Sequence, residues 1–167
     1  MCSSDLEKIV ALGGTFDAVP HTVPPIISAV ATSQDLLEES QRFGLEAVNY
    51  QGPSAIHSAL MVEASARNLP MLSLWAHTPH YVQVTNFMGA YALMKKLVEL
   101  LGLEIDLETV RKDSEYLCNQ LDQAIEKKPE LKEYLTTLEV EYREGHSNTL
   151  TNINRKIVNE IEDILKD

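Results

Sequence analysis

Cysteine is scarce in this chain of 167 residues, and the two present, Cys2 and Cys118, stand far apart with no metal-ligand spacing between them. Neither a disulfide framework nor a thiolate zinc site is indicated. Basic residues are also short, with 14 Lys and Arg against 25 Asp and Glu and a formal net charge of -11. Such a chain repels an extended phosphate backbone or an anionic bilayer surface, so neither nucleic acid nor a membrane is an expected partner. No apolar run approaches the roughly 20 residues that span a bilayer, and no basic segment followed by an apolar one opens the chain. A cytoplasmic protein is the expectation.

What is present, 44% hydrophobic and 23% charged residues, is the composition of one soluble globular domain with enough material for a real core. The pattern changes midway. Up to about Tyr81 the chain consists of short strand-like runs separated by Gly and Pro, and beyond Asn86 of long stretches with 3.6-residue periodicity. In the first part Lys8 to Leu12, Pro25 to Ala31 and Leu45 to Tyr50 read as strands, the first closed by a tight turn at Gly13-Gly14. Ser54 to Asn68 reads as a helix entered through Pro53, with Ile56, Ala59, Leu60 and Ala64 on its apolar stripe, leading into a strand over 71–76. Strand, helix and strand within about 30 residues form a βαβ unit, which predicts parallel pairing.

In the second part Phe87 to Leu101 reads as a helix stopped by Gly102. Leu107, Val110, Leu117 and Leu121 mark the next, with Cys118 as a core-facing thiol. Pro129 opens another, striped by Leu131, Tyr134, Leu135, Leu138 and Tyr142. After a polar break over 145–149, Leu150, Ile153, Ile157, Ile161 and Ile164 form a last amphipathic helix. These stripes read first as intramolecular packing and second as an oligomer contact. Glu38-Glu39 and the cluster from Glu160 to Asp163 read as solvated helix faces.

The stretch most informative about function is Met71 to Tyr81, MLSLWAHTPHY, in which a strand ends in two histidines around a Thr-Pro pair. It delivers imidazoles and a phenol to one edge of a sheet, where a partner or ligand could meet them. With the Pro20-His21-Thr22 loop, the candidate edge is Pro20, His21, Thr22, His77, Pro79, His80 and Tyr81. A metal held by His77, His80 and His21 or His57 lacks a carboxylate at ligand-like spacing, so hydrogen-bonded loop or core histidines are the default. No Ser or Cys near His21 stands in a nucleophile setting such as G-x-S-x-G, and no acid, base and nucleophile set is visible. Gly13-Gly14-Thr15 is not followed by the helix and Lys-Ser/Thr of a P-loop. A weak anion site at a helix start is possible over Gly52, Ser54 and Ser58, although small residues there also serve close packing. Trp75 reads as core. No catalytic residue, cofactor or metal is assigned.

Several segments in combination resemble the proteasome assembly chaperone 2 family. They are Ala18-Val19-Pro20-His21-Thr22 with Pro24, Thr32 to Leu37, Gly52 to Leu60, the Pro79-His80-Tyr81 triplet, Leu101 to Leu107 and Leu138 to Tyr142. The resemblance covers nearly all of residues 8–165. It implies an α/β fold, a three-layer α/β/α sandwich of the phosphorylase/hydrolase-like type with an incomplete sheet and a C-terminal α-helical extension. On that basis residues 1–7 read as a non-native leader on an N-terminally truncated sequence, 8–106 as a partial α/β domain and 107–167 as the extension. The resemblance implies an oligomeric interaction protein without catalytic activity, with protein partners by self-association, proteasome subunits among the candidates. The alternative is a small-molecule binder or enzyme of nucleoside-phosphorylase-like ancestry, or the ATP-grasp carboligase label often attached to the family. One departure concerns docking: some members that engage the proteasome end in a hydrophobic-Tyr-X tail, whereas this sequence ends Ile164-Leu165-Lys166-Asp167.

Overall fold

A computed structural model describes residues 6–48, 56–144 and 155–166. Four strands, β1 (Ile9–Asp17), β2 (Ile27–Ala31), β3 (Glu46–Ala47) and β4 (Met71–Pro79), form one open sheet in the order β1-β4-β2-β3. Six helices among the described residues accompany them: α1 (Gln34–Gln41), α2 (Ile56–Ala66), α3 (Phe87–Leu101), α4 (Glu108–Glu126), α5 (Pro129–Arg143) and α6 (Arg155–Lys166).

The expected βαβ unit does not form. β3 pairs in parallel with β2, not with β4, and β2 runs antiparallel to β4. The parallel neighbour of β4 is β1, matched over nine residues from Ile9↔Met71 to Asp17↔Pro79. Periodicity identifies a strand, but its neighbour is chosen by side-chain fit across the sheet. Gly13-Gly14 corrects a second expectation, since β1 continues through it without a turn. A Cβ on Gly13 would lie 2.8 Å from Trp75 Cε3 on the paired strand, so this glycine makes room for an indole.

Alternation sorts the sheet into two faces. On one, Leu72, Leu74 and Ala76 of β4 join Ile27 and Ala29 of β2 in a core closed by Leu36 of α1 and Leu93 of α3. Ser33 caps α1 by accepting from the Leu36 N–H, and Asn86 caps α3 by accepting from the Gly89 N–H. Gly102 ends α3 in the left-handed conformation at φ 59°, as the sequence predicts. On the opposite face α2 lies against β4, its His57 ring tilted at 54° to that of Trp75 with centroids 4.7 Å apart. Helices on both faces of a mixed sheet make the three-layer α/β/α arrangement. The α2 stripe is not core, however: Ile56 is 71% exposed, Val62 73%, and Leu60 is also exposed, while Ala64 alone is buried. The helix meets the sheet through His57, whose Nδ1 lies 2.8 Å from Ser73 Oγ of β4, while Ile56, Leu60 and Val62 face outward.

A second core belongs to the helical extension. Leu117, Leu121 and Ile125 of α4, Leu131 and Leu138 of α5, and Ile157, Val158 and Ile161 of α6 pack together, and Tyr81, Val82 and Met88 enter the same cluster. Cys118 sits at its margin with Sγ 3.1 Å from Met88 Sδ, and burial pushes its thiol pKa up. Leu150 and Ile153 lie outside the described residues.

Candidate functional site

The end of β4, the end of β1 and the loop over 18–26 converge beneath α4 and α5. Pro20, His21, Pro79, His80 and Tyr81 are all buried, so this strand end is covered by the chain's own helices. Only Thr22 of the loop's candidate residues is exposed, and its Oγ1 donates to Glu139 Oε1 of α5 at 2.6 Å.

Hydrogen-bond geometry fixes the proton positions. The His21 backbone N–H donates to the Tyr81 hydroxyl at 2.8 Å, and His21 Nδ1 lies 2.7 Å from the same oxygen. With that oxygen already accepting, the phenol proton goes to Nδ1, and Nε2–H donates to Asp122 Oδ1 of α4 at 3.2 Å. Burial depresses the His21 pKa, opposed by the Asp122 hydrogen bond and the charges of Asp122 and Glu139. Burial pushes the Tyr81 phenol up, which keeps it a donor.

His80 mirrors this arrangement. Its backbone N–H and its Nδ1–H both donate to the Asp17 carbonyl oxygen at 3.1 Å, and its Nε2 accepts from the Tyr134 hydroxyl of α5 at 2.6 Å. Burial pushes Tyr134 up to about 12. The rings of Tyr81 and Tyr134 meet edge to face, 6.2 Å between centroids. The two histidines therefore fasten the helical extension to the sheet, one through α4 and one through α5.

His77 points to the opposite face of the sheet and has different company. Its Nδ1 lies 2.7 Å from Asp17 Oδ2, and its Nε2 lies 2.9 Å from Ser28 Oγ. The other Asp17 oxygen accepts from the Ala18 N–H at 2.7 Å. The His77 hydrogen bond is the largest influence holding the Asp17 carboxyl below its usual range, partly offset by burial. Asp17, His77 and Ser28 thus form an acid, imidazole and hydroxyl chain across three adjacent strands, a constellation without any local signature in the residue pattern. Its only signal is parity, because each residue shares a sheet face with a diagonal neighbour once the β1-β4-β2 order is known. Asp122 and Tyr134 carried no warning either, since both sit on ordinary helical repeats.

A cavity of about 10 Å³, room for about one water, is lined by Pro20, His21, His77, Pro79 and Met88 among others. A shallower groove of about 220 Å³ opens where Val84 and Phe87 meet Asp113, Tyr116 and Leu117 of α4 and Leu165 of α6. Among the described residues no group of three or more His, Cys, Asp or Glu could hold a metal ion. Of the weak anion-site candidates, Gly52 and Ser54 lie outside the described residues and Ser58 is half-buried in the first turn of α2. No helix among the described residues is long and apolar enough to cross a membrane.

An open mixed sheet flanked by helices, with a helical extension fastened over its strand ends, defines an α/β/α protein with a C-terminal cap. The chain belongs to the PAC2 family, whose profile matches residues 2–125. It is similar to the crystal structure of a PAC2 family protein from Streptomyces avermitilis, at 33% identity and TM-score 0.63, covering 70% of this chain and 49% of that one. A proteasome-assembly chaperone homologue from Mycobacterium tuberculosis matches at 28% identity and TM-score 0.65, covering 77% and 54%. The fold also matches a protein of unknown function from Corynebacterium glutamicum, at 20% identity and TM-score 0.74, covering 83% and 51%. The chain therefore spans about half the length of these structures. No curated protein matches the sequence.

Proposed function

We propose that this chain acts as an interaction protein of the assembly-chaperone kind, working through protein surfaces and self-association rather than through phosphorolysis or ATP-dependent ligation. The observation that carries the reading is membership of the PAC2 family together with the likeness to a proteasome-assembly chaperone homologue. The distribution of apolar surface supports it. Ile56, Leu60 and Val62 of α2, with Leu12 and Phe16 of the edge strand β1, are exposed side chains of the kind a partner covers. β1 carries no Pro or Lys to discourage pairing along the edge that no strand among the described residues covers, which suits it to accept a further strand. The groove at Tyr116 offers a place for a partner side chain beside the core of the extension.

The enzyme alternative needs a site that encloses a nucleoside-sized ligand, for which about 300 Å³ is a lower bound. The cavity at His21 and His77 holds about 10 Å³. Proteasome subunits are the partner class this reading names, and the cytoplasm its compartment.

The test is affinity purification from a native host followed by mass spectrometry, with the oligomer mass determined in parallel. Recovery of proteasome α-subunits or a partial ring in stoichiometric amount is the expected result. A partner-free monomer would overturn the proposal.

A further inference from the structure

The hydrogen bonds between β1 and β4 fix which peptide groups of β1 point away from the sheet. The Ile9 N–H donates to the Pro70 carbonyl at 2.9 Å, and the Asp17 carbonyl accepts from the His80 N–H at 3.1 Å. The odd-numbered residues of the strand therefore turn their N–H and C=O groups toward β4. Alternation leaves those of Val10, Leu12, Gly14 and Phe16 directed outward, along an edge that no strand among the described residues covers. The side chains beside them are open as well, with Leu12 41% and Phe16 47% exposed.

We propose that a second copy of this chain occupies that edge, the two β1 strands running antiparallel about a two-fold axis at Gly13. The inference rests on the self-association named above and gives it a surface. In an antiparallel pair, opposed residues exchange either two hydrogen bonds or none, so the outward-facing residues must oppose one another. An axis at Gly13 sets Val10 against Phe16 of the second copy and Leu12 against its Gly14, which satisfies every outward N–H and C=O of these residues. Moving the axis to Leu12 or Gly14 carries Phe16 or Val10 past the end of the opposing strand.

Side chains and charge agree with this register. At the axis the opposed residues share no hydrogen bond and their Cα atoms approach to about 4.5 Å, a position that glycine fills without a side chain to collide. The half-buried indole of Trp75 occupies the space a Gly13 Cβ would take, so one indole flanks each side of the axis. On the other face Phe16 meets Val10 of the second copy, an aromatic and β-branched pair, and Leu12 covers Gly14. Two chains of net charge -11 repel, yet Asp17 is the one charged residue of β1. Its carboxylate is turned inward, 2.7 Å from both the Ala18 nitrogen and His77 Nδ1. The two Asp17 residues stand eight positions apart along the pair, about 27 Å, or roughly three Debye lengths at physiological salt.

The experiment combines sedimentation equilibrium of the full chain with cysteine pairing. The expected mass is twice the 18.7 kDa of one chain. Leu12→Pro removes an outward N–H without touching the ladder to β4, so it should sediment as a monomer with an unchanged circular dichroism spectrum. In chains carrying Cys2→Ser and Cys118→Ala, Ala11→Cys opposes Thr15→Cys of the second copy at a Cα separation of about 4.5 Å, within disulfide reach. Mixing these two variants under mild oxidant should give a disulfide-linked dimer, and neither variant alone should. A monomeric wild-type chain would overturn the proposal, as would a dimer that a folded Leu12→Pro chain retains. Should Leu12→Pro fail to fold, the cysteine pair decides, and a dimer that does not cross-link overturns the register and the surface together. Self-association retained without the cross-link, or proteasome subunits recovered by a monomer, would end this inference while leaving the assembly role standing.

Discussion

Replacing Tyr81 by Phe removes the oxygen of a buried hydroxyl that makes two hydrogen bonds to His21. That oxygen accepts from the His21 backbone N–H and donates to His21 Nδ1. The ring remains, with Tyr81 at 1% exposure, so no cavity opens and packing is unchanged. Two polar groups of His21, itself buried, lose their partner, and each unsatisfied group costs about 1–3 kcal/mol. We expect a loss of about 3 kcal/mol in a urea titration followed by circular dichroism, or about 6–12 °C in Tm for a chain of this size. The control is Tyr116→Phe, whose hydroxyl accepts a 2.7 Å bond from Gln120 on an exposed helix face. Its expected cost is below about 0.5 kcal/mol. A Tyr81→Phe protein within about 0.5 kcal/mol of that control would refute the claim that this hydroxyl holds His21 in its buried position.

The remaining predictions test neighbouring parts of the same argument. Because burial lowers the His21 pKa below its ordinary 6.5, the unfolded chain binds more protons in that window. Its contribution to stability is therefore complete above pH 6.5 and declines as pH falls toward the folded value. Wild type should lose more stability between pH 7.5 and 5.5 than His21→Gln, measured by urea midpoints at the two pH values, and equal losses would contradict the assignment. The Asp17 contribution, whose pKa is lowered from 3.8, is lost only at more acid pH and does not enter this comparison. Gly13→Ala should cost about 1–3 kcal/mol through its clash with Trp75. Trp75 is the one tryptophan of the chain, so its fluorescence should shift in the folded state, and an unchanged spectrum and midpoint would count against the tight approach. Leu121→Ala, at 0% exposure in the core of the extension, should cost about 2–5 kcal/mol in chemical denaturation, with a smaller loss marking a loosely packed extension.

Elements whose signal is local were legible in the residue pattern. Gly102 ended α3 and Pro129 opened α5 where backbone chemistry places them, and the stripes through Leu117, Leu121, Leu131 and Leu138 became core. The eight-residue α1 is too short for periodicity to single it out, and its N-cap at Ser33 is the only strong local mark. The α2 stripe misled because a periodic apolar face shows that something should cover it but not what, and among the described residues nothing does. The Gly13-Gly14 pair misled for a related reason. Glycine signals a need for space, and the space was required by an indole on another strand rather than by a turn.

The sequence by itself determined the charge, the change from short strands to long helices, and the residue types gathered around Pro79-His80-Tyr81, because composition and periodicity are properties of one segment at a time. Tertiary structure alone decided what those residues meet. Strand order placed Asp17, His77 and Ser28 in one hydrogen-bonded line although Ser28 and His77 are 49 positions apart. The descent of α4 and α5 turned His21 and His80 from candidates for an open edge into buried anchors for Asp122 and Tyr134, the first of them 101 residues from its partner. Contacts at such separations depend on the path of the whole chain, and the chain follows that path because two hydrophobic cores close on either side of these polar groups.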